Sequence, residues 1–293
     1  MYNLSDINVI KSVLAKNGFT FSKALGQNFL IDSSICPEMA DEAVLSENDG
    51  IIEIGAGVGV LTQELCQRAK KVVSIELDSR LIPVLSYTLA DFDNVEVLNQ
   101  DVLKTDFNTL IKEKFADCEN VSVCANLPYY ITSPVIMKLL EDRLPIKQIV
   151  VMVQKEASQR LCAFVGARQA GAVTVAVNYY SKATELFDVS RTSFMPSPNV
   201  DSAVIKLEVS EKPTISPTNE NMFFQMVKSA FSQRRKTALN GISAGMSLPK
   251  EIIAKAIENT NLKSDIRAEK LTMQELCALS DEIGKLTADT KEK

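Results

Sequence analysis

The segment Gly50-Ile51-Ile52-Glu53-Ile54-Gly55-Ala56-Gly57-Val58-Gly59 decides how this chain folds. A run suited to a buried strand passes directly into three glycines on alternate positions, and Val60 to Ala69 then reads as a helix. Glycine permits a tight turn and lets backbone approach a ligand closely. Between a strand and a helix, such a motif carries meaning. The spacing is Gly-x-Gly-x-Gly, not the Gly-x-Gly-x-x-Gly of dinucleotide folds. A pyrophosphate is therefore disfavoured, and a nucleotide-like ligand without phosphates fits better.

Working outward, Lys71 to Ile75 reads as a second strand, followed by a helix near Ser79 to Leu89 with Pro83 in its first turn, where proline is tolerated. Val95 to Leu98, Val121 to Ala125 and Gln148 to Val153 read as further strands. Helices are expected over Ser133 to Glu141, opened by Pro134, and over Lys155 to Cys162. This alternation predicts an α/β fold of parallel strands with crossover helices on both faces. Val173 to Tyr180, Glu185 to Val189 and Ser202 to Val209 read as strands that finish the sheet, one of them antiparallel. The segment Glu211 to Pro217 holds two prolines and few large apolar groups, which sets a boundary between residues 1–212 and a helical 213–293.

The 293 residues suffice for one α/β core and a smaller appendage. No apolar run approaches membrane-spanning length, and the N-terminus resembles neither a signal nor a transit peptide; a cytoplasmic protein is expected. The six cysteines contain no Cys-x-x-Cys pair and are expected as free thiols. With no histidine anywhere, a structural zinc site is disfavoured, no metal is expected, and every Ser-His or Cys-His nucleophile is excluded. The net charge of −5 divides unevenly: residues 38–122 hold 7 basic and 17 acidic side chains, whereas 123–191 hold 8 and 5. Lys228, Arg234, Arg235 and Lys236 add a basic cluster. The later half can thus offer phosphate a positive face, although solvated helix faces explain any single residue as well.

Two acids follow successive strands. Glu76, 21 residues past Gly55, can accept both hydroxyls of a ribose, and Asp101 can accept from an adenine amino group. Glu53 and Asp78 are weaker candidates for a ligand amine. S-adenosylmethionine is a phosphate-free ligand of this kind. About seventy residues after the glycine turn, Asn126-Leu127-Pro128-Tyr129 follows the fourth strand, at the edge where open α/β sheets bind ligands. The Asn126 amide oxygen and the Leu127 carbonyl can accept from the two N–H groups of an exocyclic base amine. Pro128 fixes the backbone and removes a competing donor. Tyr129 can stack on an extruded base, worth about 1–3 kcal/mol. A polar β-turn is the plain alternative for this tetrapeptide.

From about Lys23 to at least Asn240 the chain resembles the KsgA/RsmA-type small-subunit (16S) rRNA adenine N6,N6-dimethyltransferases, relatives of the erythromycin-resistance methyltransferases. The resemblance rests on Gly26-Gln27-Asn28-Phe29-Leu30-x-Asp32, Val153-Gln154-Lys155-Glu156, Phe194 to Ser202 and Phe231 to Thr237, beside the two words above. It implies a class I S-adenosylmethionine-dependent methyltransferase, Rossmann-like, with a mostly parallel seven-stranded sheet and a small helical C-terminal domain. It also implies cofactor contacts at Asn28, Leu30, Gly55, Gly57, Glu76, Asp101 and Asn126. Phe194 becomes the candidate for the other face of the stacked adenine, and Arg234, Arg235 and Lys236 for phosphate contacts in an rRNA-docking domain. The implied substrate is two adjacent adenosines near the 3′ end of small-subunit rRNA in an immature 30S particle, methylated by a monomer. Departures are Ala56 for a common proline, Ala170 where an aromatic is frequent, and Ala238 after Arg-Arg-Lys-Thr. Large-subunit methylation of the resistance type and an rRNA-binding assembly factor with secondary catalysis remain as alternatives. An NAD-dependent oxidoreductase fails on the glycine spacing.

Overall fold

The computed structural model describes residues 4, 6–19, 28–233 and 235–291, without the side chains of 289–291. Among these residues the strands are Phe29–Leu30 (β1), Gly50–Ile54 (β2), Lys71–Glu76 (β3), Val95–Asn99 (β4), Val121–Asn126 (β5), Gln148–Gln154 (β6), Ser181–Val189 (β7), Phe194–Met195 (β8) and Ser202–Val209 (β9). Seven make one sheet in the order β4-β3-β2-β5-β6-β9-β7, and β1 pairs with β8 in a separate antiparallel ribbon. The pairs from β4 through β6 are parallel, and β9 runs antiparallel to β6. The α/β class agrees with the sequence reading and the seven-stranded sheet with the family resemblance, whereas the strand runs read from the sequence itself include one that is not a strand.

Strands covered on both faces read as near-continuous apolar runs. In β2 every residue is buried, and in β5 every residue but Asn126. One face packs Ile51, Val72, Cys124 and Val150 against Met39, Ala40, Leu61 and Leu65, from the helices Ile35–Ala43 and Val60–Cys66. The order runs outward from β2 to β4 on one side and from β5 on the other. The reversal between β2 and β5 opens the crevice in which such sheets bind ligands.

Val173 to Tyr180, expected as a strand, lies within a helix, Ala172–Tyr180. Its valines favour strand geometry, but burial on nearly every side outweighs that preference. Thr174 fixes the start, accepting from the Gly171 N–H at 2.9 Å while donating to the Arg160 carbonyl at 2.7 Å. This helix also moves the domain boundary. Two compact units form, the first from residues up to Ser158 with Lys182–Val209, the second from Gln159–Ser181 with Ser210–Lys293. The expected division at 212/213 leaves Gln159–Ser181 in the wrong unit. The reason is a local core: Tyr179 and Tyr180 pack on Phe223 and Phe224, and both tyrosine hydroxyls donate to Glu220. The second unit is otherwise helical, as expected. No helix among the described residues is long and apolar enough to cross a membrane.

One polar side chain interrupts the core beneath the glycine turn. Glu53 on β2 is 1% exposed, and its Oε2 accepts from the hydroxyls of Thr62 and Ser74, each at 2.7 Å. Oε1 is buried without a hydrogen-bond partner among the described residues. The carboxyl thus ties β2 to β3 and to the helix after the turn. Burial pushes it up to about 7, against the lowering effect of the two hydroxyls. Unfolded glutamate titrates near 4.3, so stability from this group is complete below that value and is lost as pH rises through about 7. Glu53→Gln is expected to remove that loss, leaving chemical-denaturation stability flatter between pH 5 and 7 by about 2–3 kcal/mol. An unchanged pH profile in the variant would place the charge elsewhere.

Candidate active site

A cleft of about 300 Å³ opens at the carboxyl ends of β2 and β5. Its geometry follows from register. Ile54 lies opposite both Ile75 and Ala125, so the residues that come next, Gly55, Glu76 and Asn126, emerge side by side. A Cβ added to Gly55 would stand 3.7 Å from the Asn126 carbonyl oxygen, so the two sequence words meet in one pocket. Gly55, Gly57 and Gly59 all have positive φ, at 82°, 59° and 94°. At Gly57 a side chain would also meet the Phe29 ring at 3.2 Å, and at Gly59 the Thr88 hydroxyl at 3.1 Å. Glycine is therefore required twice over, by backbone conformation and by space.

The acids stand where the strand ends predict. Glu76 is buried; its Oε2 accepts from the Gly57 N–H at 3.1 Å and its Oε1 from the Asp78 N–H at 2.8 Å. Burial raises its carboxyl above the ordinary value, while the two N–H groups pull the other way. A carboxylate offers about four lone-pair sites, so both oxygens keep capacity for a ligand's hydroxyls. Asp101 caps a short turn, accepting from the Leu103 N–H at 2.9 Å, and its Oδ2 lies 3.8 Å from Lys104. The weaker candidates fall out. Glu53 is spent in the core, and Asp78 accepts from Arg80 at 2.6 Å; neither lines the cleft.

On the other wall, Asn126 ends β5 half-buried, and its amide makes no hydrogen bond to any described residue. Leu127 is 1% exposed, and its carbonyl accepts nothing from the described residues. The Pro128 carbonyl turns the chain by accepting from the Ile131 N–H at 3.1 Å. Tyr129 is half-buried, and its hydroxyl lies 2.8 Å from Ser202 Oγ; burial raises the phenol above its ordinary value. Tyr130 stands 57% exposed at the cleft mouth.

The ribbon of β1 and β8 closes the site. Leu30 pairs with Phe194 and Phe29 with Met195, which brings the Asn28-Phe29-Leu30 word to the cleft. Phe194 lines the cleft but is 4% exposed and belongs to the same buried cluster as Leu30, Ile35 and Cys36; it is a wall, not an open face. Arg235 and Lys236 are exposed just before the helix Ala238–Met246, in the second unit; Arg234, like Gly26 and Gln27, lies outside the described residues. Sequence reasoning missed Leu77, Gln100 and Leu103 in the cleft lining, although each adjoins an acid or turn that it had singled out. Ser202 entered only as the last residue of a motif that the family resemblance assigns to the target-base region, with no role of its own.

Charge identifies what the cleft accepts. Among its described lining residues are two acids, Glu76 and Asp101, and no lysine or arginine. Apolar Leu77 and Leu103 are 53% and 40% exposed at its rim. Such a site suits a positively charged, phosphate-free nucleoside, and S-adenosylmethionine has that chemistry. Among the described residues no cluster of acidic or cysteine side chains is arranged to hold a metal ion.

Comparison with known proteins agrees. The family described as ribosomal RNA adenine dimethylase matches residues 18–285. The ribosomal RNA small subunit methyltransferase A of Bacillus pumilus is 46% identical over 278 residues, covering 94% of this chain and 95% of that protein. Its counterpart in Geobacillus thermodenitrificans is 48% identical over 274 residues, covering 92% and 94%. A crystal structure of a dimethyladenosine transferase from Plasmodium falciparum superposes with a TM-score of 0.72 at 28% identity, covering 88% of this chain and 98% of that one. The 23S rRNA methyltransferase ErmE, at 23% identity and a TM-score of 0.64 over 87% of this chain and 99% of its own, shares the fold. A glycine turn and an Asn-Leu-Pro-Tyr word joined by register, together with a match over nearly the whole chain, place this protein in the ribosomal RNA adenine dimethylase family.

Proposed function

We propose that this protein uses S-adenosylmethionine to dimethylate the N6 amines of two adjacent adenosines near the 3′ end of small-subunit rRNA during ribosome assembly. The observation that carries the reading is the pair of unengaged acceptors, the Asn126 amide and the Leu127 carbonyl, beside the glycine turn. Bound S-adenosylmethionine supplies a methyl group already activated on a positively charged sulfur. Asn28, Leu30, Gly55, Gly57, Glu76 and Asp101 are the residues that would hold it, all in or beside one cleft. Asn126 lies between the cofactor and target-base halves and serves both.

The target amine is a poor nucleophile because its lone pair is delocalised into the purine ring. Two acceptors aimed at its N–H groups draw the nitrogen towards tetrahedral geometry and return that pair to it. No base is needed first, since the methylated nitrogen is acidic and releases its proton afterwards to water. That suits a chain without histidine. Tyr129 offers the extruded base an aromatic face, Pro128 keeps a competing N–H out, and Phe194 backs the pocket.

The small-subunit reading is favoured over large-subunit methylation by relatives at 46–48% identity that are ribosomal RNA small subunit methyltransferases, against a likeness of fold alone at 23%. In this reading a cytoplasmic monomer docks on rRNA of an immature 30S particle through its second unit, where Arg235 and Lys236 are exposed.

Tritiated methyl transfer to immature small and immature large subunits in parallel, followed by nucleoside analysis, is expected to yield labelled N6,N6-dimethyladenosine in 16S rRNA; label confined to large-subunit rRNA overturns the assignment. Asn126→Ala should lower turnover by about 100-fold or more while cofactor affinity, read by calorimetry, falls less than about tenfold. Near-normal turnover would remove Asn126 from the reaction. Replacing Arg235 and Lys236 with alanine should weaken rRNA binding and reduce the slope of log affinity against log salt by about 0.7–0.9 per lost contact. A slope equal to that of the wild type would count against this docking face.

A further inference from the structure

Tyr129 sits in a turn with no regular secondary structure, three residues past the end of β5. Backbone alone does not fix where its ring points. The structure assigns that task to Ser202, as a positioning residue for the target-base tyrosine; this inference rests on the function proposed above. Ser202 Oγ and the Tyr129 hydroxyl are 2.8 Å apart, and Ser202 is 0% exposed.

Topology explains how residues so distant in sequence meet. β5 and β6 are parallel, with Asn126 opposite Met152 near their ends. β9 is antiparallel to β6, with Ser202 opposite Gln154, so the first residue of β9 lies at the edge where β5 and β6 finish. A parallel strand in that place would bring its last residue to the site instead. The anchor is itself held. The Asp201 carbonyl accepts from the Lys155 N–H at 3.0 Å, and Asp201 Oδ1 accepts from the Arg191 N–H at 3.0 Å. The Arg191 guanidinium adds an ion pair to Asp201 at 3.4 Å.

A tyrosine hydroxyl lies on the long axis of its ring. A hydrogen bond there fixes the direction of the axis while leaving rotation about it possible. The ring therefore waits at one place and can still turn its face to an arriving base. Holding a side chain in its bound pose beforehand removes an ordering cost at the moment of binding. Ser202 thereby acts on the RNA step and leaves the cofactor step alone.

The test is a double-mutant cycle with Ser202→Ala and Tyr129→Phe in the full-length protein, assayed on immature small subunits. Each single variant is expected to lose about 5–30-fold in kcat/KM for RNA, and the double variant to lose no more than either. S-adenosylmethionine affinity by calorimetry should stay within about twofold of wild type. Ser202→Thr, which keeps the hydroxyl, should recover most of the loss. Ser202→Cys keeps the packing with a much weaker hydrogen-bonding group, so it serves if the alanine variant does not fold, and the same loss is expected. Wild-type activity in the alanine or cysteine variant, or losses that multiply in the cycle, overturns the role of Ser202. Absence of transfer to small-subunit rRNA by the wild-type protein would instead remove the function proposed above.

Discussion

Parallel pairing of β2 with both β3 and β5 is the constraint on which the site depends. Because Ile54 stands opposite Ile75 on one side and Ala125 on the other, three strand ends are brought level. Gly55, Glu76 and Asn126 then face one space although they come from three distant parts of the chain. A slip of one residue in either pairing would turn a side chain to the opposite face of the sheet and leave the cleft without an acceptor or without a carboxylate. The register is held by strands buried on both faces and by the Glu53 carboxyl, which grips Thr62 and Ser74 from inside the core. The glycines add what the strands cannot, a backbone that turns with positive φ and leaves room for Phe29 and Thr88.

Much of this was legible in the sequence for a simple reason. Strands buried on both faces are written as unbroken apolar runs, so β2, β3, β5 and β6 stand out, and functional residues of such sheets follow strand ends, where Gly55, Glu76, Asp101 and Asn126 are found. The helix Ala172–Tyr180 was illegible because its valines carry strand preference and its burial is almost uniform, which erases the helical period. The Tyr129–Ser202 bond was illegible for another reason. Its partners are 73 residues apart, and only the antiparallel course of β9 makes them neighbours. Asn28 and Leu30 came from family resemblance alone, since a two-residue strand leaves no periodicity to read.

Charge is divided in the folded molecule as in the sequence. Among the described residues the cleft is lined by acids without bases, while the exposed cations Arg235 and Lys236 stand on the second unit. A cationic methyl donor and a polyanionic RNA need opposite surfaces, and one net figure of −5 conceals both. The acidic balance of residues 38–122 therefore says more about the small ligand than about the macromolecule.

In the reaction proposed for this site, the two acceptors at Asn126 and Leu127 have a consequence for the second round of chemistry. An unmodified adenine amine brings two hydrogens, one for each oxygen. After the first transfer only one hydrogen remains, so one oxygen must look at a methyl carbon instead of a donor. The nitrogen is then a better nucleophile through its alkyl substituent but is polarised from one side only. A single pocket thus works in two electronic regimes, and a half-finished nucleoside differs from fresh substrate by one missing donor and one added methyl group.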